Sequence, residues 1–162
     1  MTEPTPSADP EVELRSRPLF RLTARVSAPY ELGGTGETRR RIVAIQAGEF
    51  DGPQIRGEVL PVGGDWMTIG AGGATQIDVR ALLRTEDGAL IELHYTGHRH
   101  GPPEVMAALA RGEVVDPSSY YFRVTARFIT AAPAYAWLNR IVAVGVGRRP
   151  PEGPIYHFFE IL

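Results

Sequence analysis

The sequence predicts an all-β chain, an antiparallel β-barrel of about eight to nine strands with one short helix, and three observations carry that prediction. Glycine and proline supply 18 and 14 of the 162 residues and recur without a short period, as turns between short strands require. Between them lie runs rich in Val, Ile, Phe, Tyr and Thr, two of which alternate strictly between polar and apolar residues, the period of a strand with unlike faces. A single segment has helical texture, so the βα alternation of a parallel sheet is missing. The length suits one domain with a substantial core.

Taken in order, residues 1–13 place Pro4, Pro6 and Pro10 among small and acidic side chains. They carry too little apolar surface to offset the entropy of ordering and read as a flexible tail, leaving 14–162 as a single barrel domain. Strands are expected over 19–28, 39–46, 54–61, 66–70, 75–86, 89–97, 121–130, 139–147 and 154–161. The segments GEFDGP (48–53) and PVGGDW (61–66) read as glycine-punctuated loops gathered at one end of the sheet. Thr85-Glu86-Asp87-Gly88 predicts a tight hairpin turn, because Asp-Gly tolerates the positive φ that such turns need. PPEVMAALAR (102–111) predicts the helix: prolines open it, Val105, Met106 and Leu109 share a face, and Gly112 stops it. AYAWL (134–138) reads as a further short helical turn.

Composition narrows the function classes. With 17 basic and 19 acidic residues spread along the chain, net −2, there is no electrostatic footprint for nucleic acid or an anionic membrane. The absence of cysteine excludes disulfides, a thiol nucleophile and Cys-type zinc sites, and is compatible with a reducing cytoplasm. The first residues lack a basic start and apolar run, and no apolar stretch reaches membrane-spanning length, so a cytoplasmic location is the default expectation. Gly33-Gly34-Thr35-Gly36 lacks the Lys-Ser/Thr of a phosphate loop and reads as a loop between strands, and no GxSxG elbow is present.

The alternating strands hold the first candidates. In IDVRALLR one face carries Asp78, Arg80 and Leu82 and the other Ile77, Val79, Ala81 and Leu83; in YYFRVTARF, Tyr121, Arg123, Thr125 and Arg127 oppose Phe122, Val124, Ala126 and Phe128. The polar faces have two readings. Half-buried strands show such residues to water; a barrel lumen instead would bring an Asp–Arg pair and a Tyr hydroxyl to a ligand. Arginine offers a planar fork for carboxylates, enolates or phenolates, and a desolvated Asp can hold or take a proton. His94, His98 and His100 share a side of one strand, but Gly97 and Gly101 around His98-Arg99-His100 suggest a bending, hydrated turn and no carboxylate stands at fixed spacing, so no metal is expected. Trp66, Trp137, Tyr135 and Tyr120-Tyr121-Phe122 either stack on a planar ligand or fill the core.

Four blocks, GEFDGPQIRGEVLPVGGDW (48–66), IDVRALLRTEDGALI (77–91), YYFRVTARF (120–128) and YAWLNRIVAVGVG (135–147), resemble the domain-of-unknown-function family 3237 in order and spacing, over roughly residues 19 to 162. The resemblance implies an antiparallel barrel of lipocalin-like proportions without an established general activity. Its pattern falls on a polar set of Arg41, Asp65, Asp78, Arg80, Tyr121, Arg123 and Asn139 and on Trp66 and Trp137. That overlap favours the lumen reading. The resulting expectation is a cofactor-independent acid–base enzyme, an isomerase, cyclase or lyase, acting on an apolar or aromatic carbonyl or carboxylate compound. Asp78 or Asp65 would move the proton, Tyr121 would donate a hydrogen bond, and Arg80, Arg123, Arg41 and Asn139 would hold the substrate, with Asp65 at the rim and Trp66 and Trp137 flanking its rings. The alternatives are a non-catalytic carrier barrel and a domain whose Asp–Arg pairs are purely structural. Edge strands and exposed aromatics are compatible with a homodimer.

Overall fold

The computed structural model describes residues 12–162, so the expected tail over 1–13 lies, apart from Val12 and Glu13, outside the described residues. Among the described residues nine strands are present: β1 (Ser16–Val26), β2 (Tyr30–Thr35), β3 (Thr38–Asp51), β4 (Arg56–Ile69), β5 (Thr75–Thr85), β6 (Leu90–His100), β7 (Tyr121–Ile129), β8 (Val142–Arg148) and β9 (Ile155–Ile161). One α-helix, α1 (Pro103–Ala110), and short 3-10 turns complete the described residues. The strands run in the order β1-β9-β8-β7-β6-β5-β4-β3, and β1 pairs with β3 to close the ring. Eight antiparallel strands therefore form a closed barrel, and β2 hangs outside it on β3 alone. A ring of eight has an interior that side chains can fill or leave open for one small ligand.

The long strands β3 and β4 correct two expectations. The glycine-rich segments 48–53 and 61–66 are not loops at one end; most of each lies inside a strand, and 54–61 and 66–70 belong to one strand, β4. The register slips between Ala44 and Gly48 on β3 and between Val59 and Gly63 on β4, so these glycines bulge and bend the strands instead of ending them. Gly33–Gly36, expected as a loop, forms the end of β2 and its tight return into β3. Residues 139 and 140 belong to the 3-10 turn Pro133–Arg140, and β8 starts later than expected, at Val142. The Asp87-Gly88 hairpin is as read: Gly88 has φ +88 and its N–H donates to the Thr85 carbonyl at 2.9 Å.

Strand alternation divides the residues into an inner and an outer layer. On β5, Ile77, Val79, Ala81 and Leu83 are buried and Gln76, Asp78, Arg80 and Arg84 are exposed; on β7, Phe122, Val124, Ala126 and Phe128 are buried and Tyr121, Arg123, Thr125 and Arg127 exposed. The apolar faces therefore line the interior. The end carrying the 85–88 hairpin is plugged by aromatic packing, with Phe20 set 5.5 Å from Phe50, 6.0 Å from Phe128 and 5.2 Å from Phe158. Leu138, buried from the 3-10 turn, belongs to the same core. The other end carries α1 and β2, and it is hollow. Among the described residues no helix is long and apolar enough to cross a membrane.

Candidate functional site

The hollow half of the barrel holds a cavity of about 260 Å³, at the small end of ligand sites. Its wall is largely aliphatic: Val43 and Ile45 from β3, Met67 from β4, Ile77, Val79 and Ala81 from β5. Met106 and Leu109 of α1 cover it. Into this apolar surface the inward positions of four strands bring Arg39 and Arg41 (β3), Asp65 (β4), Tyr95 and Arg99 (β6) and Tyr156 (β9), joined by Arg149 from the segment after β8.

Asp65 shares its inward face with Met67 and Ile69. The β4–β5 register continues on both sides of Trp66 and Met67 but pairs neither of them, and the Asp65 carboxylate lies beside that gap, its Oδ1 accepting the Asp78 backbone N–H at 3.1 Å. Burial pushes the Asp65 carboxyl up to about 6, against the opposing pull of the Asp78 amide and the Arg99 charge. Desolvation outweighs both because an apolar wall solvates a carboxylate far less well than water.

The other polar groups of the lumen feel the same wall. Burial pushes the Tyr95 and Tyr156 phenols up and the Arg99 guanidinium down; the two phenol rings meet edge to face, 4.8 Å apart. Arg99 lies over the Phe122 ring, 5.4 Å from its centre. Arg41 reaches Glu31 of β2 with Nη2 at 2.8 Å, yet its Nε, like that of Arg99, is buried without a hydrogen-bond partner. Such a group, a protonatable carboxyl beside unsatisfied guanidinium donors in a largely aliphatic cleft, can exchange a proton and hold negative charge on an oxygen.

Of the residues singled out in the sequence, Asp65 and Arg41 are inside. Asp65 is part of the wall, not the rim. The lumen placement of Asp78, Arg80, Tyr121 and Arg123 is overturned: because the apolar faces are the ones that meet across the barrel, these four point outward. Asp78 contacts His94, Oδ1 to Nε2 3.0 Å; Tyr121 stacks on His100 at 4.9 Å; Arg123 lies over Tyr121 and donates to the Phe122 carbonyl at 2.9 Å. With Trp66, 37 % exposed, Asp78, Tyr121 and Arg123 edge a groove of about 740 Å³ on the outer surface. Trp137 packs against the core from the 3-10 turn at the plugged end, and Asn139 there braces Thr130, accepting its N–H and donating to its carbonyl, both at 2.8 Å. His94, His98 and His100 all lie on the outer side of β6, and among the described residues no three His, Asp or Glu side chains converge as a metal site would need.

Sequence reasoning missed Arg99, Tyr95, Tyr156, Arg39 and Arg149. A signal for two of them exists in LIELHYTGHRH, where Tyr95 and Arg99 keep step with Ile91 and Leu93. A charge on the apolar phase of a strand marks the lumen; the clean polar phase marks solvent.

Known proteins agree with this architecture. A UPF0311 protein of Rhodopseudomonas palustris is 35% identical over 149 residues, which cover 92% of this chain and 97% of the relative. The crystal structure of a β-barrel like protein from Acinetobacter baumannii matches with 39% identity and a TM-score of 0.81, over 93% of this chain and 98% of that one. The crystal structure of an enzyme from Penicillium herquei shares the fold at 22% identity and a TM-score of 0.70, over 100% of this chain and 99% of the other. The model of the family described as "Protein of unknown function (DUF3237)" matches residues 14–161, and the chain belongs to that family.

Proposed function

We propose that the barrel is a cofactor-independent acid–base enzyme, of the isomerase, cyclase or lyase kind, for a small apolar or aromatic compound bearing a carbonyl or carboxylate. The observation that carries this reading is the Asp65 carboxyl inside an aliphatic cavity, raised by burial to about 6, close to the working pH at which a proton carrier is most effective. Asp65 removes or returns the proton next to the substrate carbonyl. Arg41, with a free Nε, faces the oxygen on which charge develops, and the Asp78 main chain positions the carboxylate from the neighbouring strand. Its side chain lies outside with Tyr121, Arg80, Arg123 and Trp66.

The same Asp78 amide contact favours a second reading, a carrier barrel in which Asp65 merely completes the β4–β5 ladder. Asp65→Asn separates the two, because the amide oxygen still accepts the Asp78 N–H while the proton carrier is lost. With phenylacetone as probe in D2O, the wild type is expected to speed deuterium uptake next to the carbonyl, with the rate rising through about pH 6 as the base form of Asp65 appears. Asp65→Asn is expected to lower that rate by about a hundredfold or more, the usual worth of a general base. Equal rates for the two proteins would leave the carrier.

A further inference from the structure

The cavity carries positive charge that proton transfer by Asp65 does not explain. Arg39, Arg41, Arg99 and Arg149 line it against the single carboxylate of Asp65. Only Arg41 among them has an acidic partner within ion-pair distance among the described residues, and that partner, Glu31, stands on the strand outside the barrel. Arg99 is the most telling. It is held on the inner face by Phe122, its Nε is buried and unpartnered, and the charge of Arg149 lies close enough to oppose its own. Arg149 turns one Nη to the Pro150 carbonyl at 2.8 Å, and its backbone N–H donates to the Tyr120 hydroxyl at 2.9 Å. Two like charges side by side in a cleft, with unused donors, form a site for a planar oxyanion.

On β6, Arg99 lies four residues nearer the α1 end than Tyr95, and Val79 pairs with both Tyr95 and Asp65. The guanidinium donors therefore stand on the α1 side of Asp65, with Val43 and Val79 of the aliphatic wall level with it and Ala81 deeper in. We propose that Arg99, with Arg149 beside it, anchors the carboxylate of the ligand, so that the ligand class is a small aromatic or alicyclic monocarboxylic acid, its ring lying on that wall. This rests on the reading of the cavity as the ligand site, and it names the substrate class for it.

Benzoate, benzamide and benzylammonium share one ring and differ in charge, and calorimetric titration of the full chain with each tests the proposal. Benzoate is expected to bind at least about tenfold more tightly than benzamide, as charge-assisted hydrogen bonds are stronger than neutral ones, and benzylammonium is expected not to bind. Arg99→Met should weaken benzoate by about tenfold or more and leave benzamide unchanged, while Asp65→Asn, which removes the one negative charge of the cavity, should not weaken benzoate. Equal affinity for benzoate and benzamide, no benzoate binding, or wild-type benzoate affinity in Arg99→Met overturns the anchor. Should Arg99→Met fail to fold, Arg149→Met carries the same expectation, and wild-type affinity there overturns it equally. If benzoate behaves as expected while Asp65→Asn leaves deuterium uptake untouched, the acid–base reading falls and the anchor stands; uptake lost in Asp65→Asn with benzamide equal to benzoate gives the converse.

Discussion

A carboxylic acid moved from water into an aliphatic lumen keeps its proton to higher pH, and the whole protein then feels the difference. Asp65 titrates at about 6 in the fold against 3.8 for the free side chain. Between those values the native state holds a proton that the unfolded chain has released, so the contribution of this residue to stability falls as pH rises through that window and is level above it. The loss amounts to about 3 kcal/mol at most. Urea unfolding of Asp65→Asn should therefore show a gain over the wild type that grows between about pH 4 and about pH 7; a difference that does not vary with pH would mean that Asp65 is solvated like a surface acid. Asp65→Ala, which also strips the Asp78 amide of its acceptor, should lie below Asp65→Asn by about 1–3 kcal/mol. At this scale the sequence was legible in part. Asp65 and Arg41 come from the family pattern, whereas Arg99 hides inside His-Arg-His, where its neighbours draw attention outward.

Among the elements, β3 and β4 decide what reaches the cavity. On β3 the inward phase runs through Arg41, Val43 and Ile45, slips by one residue at the bulge, and continues at Phe50, so a single period-two reading of 39–50 cannot place both ends correctly. This is why the segment reads as a strand followed by a loop, while the unbulged β5 and β7 are legible almost to the residue; β6 runs three residues past the expected end at 97, so that His98-Arg99-His100, expected as a turn, is strand. The bulge on β4 is tighter. Gly63 has φ +91, and a Cβ there would stand 2.0 Å from the Arg80 carbonyl oxygen. Gly63→Ala should accordingly destabilise the fold by about 1–3 kcal/mol, measurable by thermal and urea unfolding, whereas Gly88→Ala, with no atom within 4 Å of its added Cβ but φ +88, should cost only the backbone strain of about 1 kcal/mol.

For the whole molecule the division into a filled and a hollow half is the leading fact. Phe158 is 1% exposed in the plug, and its replacement by alanine should cost about 3–5 kcal/mol. Ala81 faces the cavity, so Ala81→Leu should grow into open space, cost less than about 1 kcal/mol, and reduce benzoate affinity by about tenfold or more. Paired melting curves and titrations check the contrast; a large destabilisation by Ala81→Leu would show that the space is already needed by its walls. The barrel itself was legible from turn spacing and alternation. Which face of each strand points in was not, because alternation separates two faces without saying which is wet, and only the meeting of eight apolar faces around a closed ring decides it.

Closure of that ring leaves β2 with neighbours on one side only, and all six of its residues are exposed. In hydrogen exchange its amides should open strand by strand, long before those of β5, β6 and β7, whose protection approaches that of global unfolding. Glu31 on this strand holds Arg41. The charge offered inside the barrel is thus tied to the strand expected to exchange fastest among those described, and its availability should follow that strand's clock.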